Sequence, residues 1–60
     1  MAEGSVILSA MSRNWSRLDS IAKKAGVSVD LALKALEGLT AEGLVESTVK
    51  DGGAFWRLSA

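Results

Sequence analysis

The chain contains no cysteine and no histidine. The first absence removes disulfide staples and thiolate metal sites, and with them any inference about redox compartment. The second removes the commonest general base and the commonest metal ligand. Neither sign of charge is in excess, since seven basic residues balance seven acidic ones. Dedicated DNA-binding domains usually carry a basic surplus, because phosphate contacts supply much of their affinity. A nucleic-acid role here must therefore rest on where the charges lie. Long hydrophobic runs are missing too. No segment approaches the ~20 apolar residues that span a bilayer. Val6-Ile7-Leu8 is shorter than the ~7–15-residue core of a secretory signal. No membrane partner is expected, and the chain reads as soluble and cytoplasmic.

Catalytic chemistry is equally thin. The carboxylates are scattered along the chain rather than paired, and no cluster has metal-ligand spacing. Asp51-Gly52-Gly53 superficially resembles the start of a phosphate loop, but no helix and no Lys-Ser/Thr pair follow it. The expectation is a protein that is not an enzyme, with no cofactor, no metal and no catalytic residues.

Sixty residues allow one domain, spanning 1–60. A chain this short buries only about 60% of its unfolded surface, so its core is one small cluster. Apolar content is 48%, more than so small an interior can hold, which leaves apolar surface exposed or facing a partner.

The segment from Met1 to Ser5 is small and polar and reads as frayed. Ile7, Leu8 and Met11 then lie on one face of a short helix over Val6 to Ser12, which Asn14 breaks. Trp15 reads as a lid on the core. Ser16 and Asp19 have the form of a capping box for a second helix running from Arg17 to about Ala25, with Leu18, Ile21, Ala22 and Ala25 buried. Gly26 is placed to end it in a left-handed conformation. Val27 turns inward, and Ser28 caps a third helix from about Val29 to Glu42, with Asp30 in its first turn. At about 100° per residue, Val29, Ala35, Leu36 and Leu39 fall within roughly 60° of Ala32, opposite Asp30, Lys34 and Glu37. Leu31 and Leu33 flank this arc. Gly38 within the helix implies close packing or a bend, and Gly43 ends the helix. Leu44 to Lys50 and Ala54 to Ser59 read as hairpin strands joined through Asp51-Gly52-Gly53, whose residues supply positive φ angles. Val45, Ser47 and Val49 share one face of the first strand, and Trp56 and Leu58 share one face of the second. Phe55 points to the opposite, outer side.

Gly26-Val27-Ser28, Ala32, Leu36, Leu39, Gly43-Leu44-Val45 and the Gly-Gly-x-x-Trp-x-Leu ending together resemble the winged helix-turn-helix domains of bacterial and archaeal transcription regulators. The resemblance runs from Ser16 to Ser59. It implies an α+β fold of three helices with a C-terminal β-hairpin wing, and a short first strand near Trp15, where such domains often place one. It further implies a small regulator that binds duplex DNA, with the third helix in the major groove and the wing on backbone or minor groove. Ser28, Val29, Asp30, Leu33, Lys34 and Glu37 stand where that family usually presents groove-reading residues.

The charges depart from that pattern. From Ser28 to Gly43, Lys34 stands against Asp30, Glu37 and Glu42, a net of −2 on the element meant to enter a polyanion. Residues 1–27 carry Arg13, Arg17, Lys23 and Lys24 against Glu3 and Asp19, a net of +2. A DNA-bound arrangement would use Arg13, Arg17, Ser28, Val29, Asp30, Leu33 and Lys34, with Lys50, Gly52 and Arg57 from the wing. The alternative is a winged-helix protein-interaction module, meeting a protein partner or a second copy through Leu31, Leu33, Glu37 and Phe55. A third reading is a piece of a longer protein whose wing domain orients its neighbours.

Overall fold

Ile7, Ile21 and Leu36, one from each helix, meet fully buried at the centre of the molecule. Taking such a side chain out of water contributes about 1.5–3 kcal/mol, and around these three the rest of the core assembles. The computed structural model describes residues 2–59. They form a small α+β domain with the order α1 (Ala2–Ser9), β1 (Ser16–Arg17), α2 (Leu18–Ala25), α3 (Val29–Ala41), β2 (Val45–Lys50) and β3 (Gly53–Leu58). The strands make one antiparallel sheet in the order β1-β3-β2. Val45 and Trp56 close the core from the sheet, while Ala22, Ala32, Leu39 and Met11 fill it between the helices. Among the described residues no polar or charged side chain is buried.

The first helix lies earlier than the Val6 to Ser12 expected from apolar spacing. Residues read as frayed belong to it, with Met1 outside the described residues. It stops at Ser9 because the chain beyond is claimed by the sheet. The Leu58 amide donates to the Ser12 carbonyl at 2.9 Å, and the Asn14 amide donates to Ser12 Oγ at 3.2 Å. Met11 still reaches the core, from outside the helix.

The expected capping box at Ser16 does not form. Ser16 and Arg17 pair as a strand with Trp56 and Phe55, so the helix begins one residue later and Arg17 is its N-cap, without a side-chain hydrogen bond. Ser16 Oγ donates instead to the Asn14 carbonyl at 3.3 Å, and Asp19 accepts from the Ser20 amide at 3.0 Å. α3 begins as its sequence requires, the Leu31 amide donating to Ser28 Oγ at 3.2 Å.

Gly26 ends α2 at φ 73°, and the Val27 amide closes onto the Ala22 carbonyl at 3.1 Å. A side chain at that φ meets its own carbonyl, a cost of roughly 1–2 kcal/mol that glycine avoids. α3 closes in the same way, the Leu44 amide donating to the Leu39 carbonyl at 3.0 Å. Ser59 then fixes this corner, donating from Oγ to the Gly43 carbonyl at 2.6 Å and from its amide to Leu44 at 3.2 Å. Gly38 has nothing within 4 Å of the place a Cβ would take, so close packing does not account for it. The hairpin turn is Asp51-Gly52, at φ 54° and 79°. Two positive φ values in a two-residue loop match the twist of the paired strands. Gly53 already belongs to β3.

Candidate nucleic-acid interface

Pairing Val45 with Leu58, Ser47 with Trp56 and Val49 with Ala54 puts these residues on the inner face of the sheet, toward the helices. That face divides along its length. Val45 and Trp56 are buried at the root, while Val49 near the turn is 77% exposed. The hairpin end therefore projects free. Beside it stands the start of α3, and a cleft lined by Arg17, Asp19, Val29, Gly53 and Ala54 separates them. A second cleft, lined by Leu33, Glu37, Thr40, Ser47 and Val49, runs between α3 and the inner side of the hairpin.

Of the residues expected on a duplex-reading surface, Ser28, Val29, Asp30 and Lys34 are exposed along the first half of α3. The Ser28 hydroxyl is already engaged as the cap. Val29, placed by periodicity in the buried arc, is 46% exposed. As the first residue of the helix it lies at the mouth of the cleft rather than over the core. Leu33 is half-buried against the core. Arg13 is exposed between α1 and β1, and Gly52 stands at the hairpin turn. Leu31, Glu37 and Leu33 follow one another on α3, but Phe55 does not join them. Leu33 lines the inner cleft, whereas Phe55 pairs with Arg17 and Thr48 on the outer face.

Lys50 and Arg57 share that outer face, on the side of the sheet away from the core. Arg57 is engaged twice. Its Nε donates to Glu46 Oε1 at 2.7 Å, and its guanidinium lies over the Trp15 ring, 4.2 Å from the centroid. Trp15 is accordingly not a lid on the core. It is 41% exposed, held against the outer face by a cation–π contact. A trough lined by Trp15, Thr48, Lys50 and Phe55 runs between the two aromatic side chains. The sequence does hold a signal for this placement. Once Ser16–Arg17 is a strand with Ser16 inward and Arg17 outward, alternation puts Trp15 on the side of Arg17 and Phe55.

Among the described residues no group of three or more acidic side chains stands close enough to hold a metal ion. None of the described helices is long and apolar enough to cross a membrane. Two surfaces stand out among the described residues: a mixed α3 face beside a free hairpin end, and an aromatic, basic outer sheet face. Comparison with family models, curated proteins and solved structures finds no match for this chain.

Proposed function

We propose that the chain is a winged helix-turn-helix domain that binds duplex DNA, with α3 in the major groove and the β2–β3 hairpin as its wing. The observation carrying this reading is the exposure, side by side, of the capped start of α3 and the projecting hairpin end. A helix of this width fits the major groove, and a hairpin beside it reaches the neighbouring backbone. The short strand ahead of α2, and the single tight turn between α2 and α3, agree with the layout that the sequence resemblance implies.

With a net of −2 on α3, affinity must come from Lys34 together with Arg17 and Lys50 at its borders. Three phosphate contacts give a salt dependence of about −2.7 in log K against log salt. An amide NMR titration with a duplex at two salt concentrations is the test. The expected shifts fall on Arg17, Ser28 to Lys34 and Lys50 to Gly53, shrinking as salt rises, and Lys34→Ala weakens binding. Unchanged affinity in both Lys34→Ala and Arg17→Ala would remove this surface from contention.

A second reading, a protein-interaction surface, is favoured by Val29, Leu31 and Val49, exposed at 46%, 38% and 77%. No duplex-dependent shifts even at low salt, with concentration-dependent association of the chain in sedimentation, would move the assignment there.

A further inference from the structure

The outer face of the sheet points away from the α3 surface, meets it only at the bordering Arg17 and Lys50, and has a different composition. Arg17, Lys50 and Arg57 stand on it against Glu46, three positive charges to one negative, or +2 in a chain whose net charge is zero. Asp51 lies beyond the last strand pair, in the turn. The same face carries two of the three aromatic residues of the chain, Trp15 and Phe55. Between them lies a trough of about 350 Å³, with Thr48 and Lys50 completing its lining. That volume is at the lower end of small-molecule sites, ~300–1,000 Å³.

We infer that this trough is a stacking site for single-stranded nucleic acid. Aromatic rings on a basic sheet face offer what an unpaired strand needs: π-surfaces for bases and cations for the phosphates between them. A duplex keeps its bases stacked inside and gains nothing from Trp15 or Phe55. Charge separates the candidates further. A proline-rich peptide also docks on aromatic grooves, but it has no use for Arg17 and Lys50. Arg57 has a supporting role. Bound to Glu46 and lying over Trp15, it fixes the indole in place before any strand arrives and leaves its own charge beside the stack. Thr48 adds a hydroxyl that either donates to or accepts from a base edge. The site reads base planes and phosphate, so sequence preference is weak.

The inference does not rest on the duplex reading: the stack is built on Trp15 and Phe55 of the outer sheet face, whereas the duplex reading centres on α3 and Lys34, and the two share only the bordering cations Arg17 and Lys50. The experiment is fluorescence anisotropy with labelled oligothymidylate, oligouridylate and a DNA duplex, against the wild-type chain, Phe55→Leu, Trp15→Leu and Lys34→Ala. Circular dichroism checks that each variant is folded. Both single strands are expected to bind, with affinity falling as salt rises. Phe55→Leu and Trp15→Leu should each weaken that binding by roughly 5- to 150-fold, the range set by one lost base stack of about 1–3 kcal/mol. Lys34→Ala should leave it unchanged. Any preference between the two strands reports whether the 2′-hydroxyl is contacted, and either preference sustains the site. Single strands that fail to bind at low salt would overturn it. So would binding that both leucine variants leave intact, or an oligoproline peptide that displaces the strands at equal concentration. Loss of duplex binding in Lys34→Ala without change on single strands separates the two surfaces, and each can fail alone.

Discussion

The inner face of the sheet carries Val45, Trp56 and Leu58 toward the helices, whereas the outer face carries Arg17, Glu46, Thr48, Lys50, Phe55 and Arg57. One alternation of side chains produces both. At the root of the inner face burial decides the residues, because a methylene withheld from water there contributes to the small core. On the outer face no helix packs over the side chains, which are half-buried or exposed, so stability places fewer demands on their identity. Two aromatic residues nevertheless stand there beside three cations, outside the buried core. The comparison teaches that residues to suspect of function in so small a domain are those whose cost of removal is low and whose chemistry is specific.

The sharpest way to break the comparison is to truncate the two tryptophans separately. Trp56→Ala removes a buried aromatic and should cost about 3–5 kcal/mol, a large part of the ~5 kcal/mol at the bottom of the range for folded domains. Its urea transition should move far down or vanish. Trp15→Ala removes a half-exposed ring and a cation–π contact of about 0.5–1 kcal/mol, so its transition should shift only slightly. Each variant leaves one tryptophan as reporter, the folded Trp15→Ala protein showing the blue-shifted emission of buried Trp56. Equal losses of stability in the two variants would mean that the outer face is structural after all.

A finer test lies along the inner face, between its buried root and its free end. Val45 is 2% exposed and Val49 is 77% exposed, and both are β-branched residues of the same strand. Val45→Thr puts a hydroxyl into the core at a cost of about 1–3 kcal/mol. Val49→Thr should stay within about 0.5 kcal/mol. Thermal denaturation of the pair measures the difference directly. A large loss at Val49 would show that the hairpin end is packed rather than projecting.

The helices, the turns and the hairpin were legible because each is marked by local chemistry. Ser28 caps, Gly26 and Gly43 stop, Asp51-Gly52 turns, and Ala32, Leu36 and Leu39 repeat at helical spacing. Errors gathered where a long-range contact overrides a local rule. Ser16 looks like an N-cap, yet its backbone is taken by β3, and a two-residue strand has too little sequence to announce itself. Trp15 departs from expectation for the same reason, since large aromatics are usually buried and only the strand register turns this one outward. The end of α1 was set by Leu58, some forty-six residues away along the chain, bonding to the Ser12 carbonyl. The trough between Trp15 and Phe55 was invisible for that reason too. Its walls come from two segments that only the β1–β3 pairing brings together.

The smallest expected effect concerns Glu46, the carboxylate that the strand pairing places on the outer sheet face. Glu46→Gln keeps an oxygen to accept from Arg57 Nε but removes the negative charge, taking the face from +2 to +3. The side chains of the pair are 39% and 45% exposed, and ion pairs of this kind contribute about 0–1 kcal/mol. Stability should therefore change by less than about 1 kcal/mol, and less still in high salt. A strand lying on this face feels one repulsive charge fewer, about 0.5 kcal/mol at ~8 Å in water, so single-strand affinity should rise about twofold at low salt. Duplex affinity should rise less, because Lys34 and α3 are on the other side of the sheet and only Arg17 and Lys50 border a duplex from this face. A rise for duplex with none for single strands would reverse the assignment of the two faces, placing the duplex on the sheet and leaving α3, with its carboxylates and leucines, to a protein.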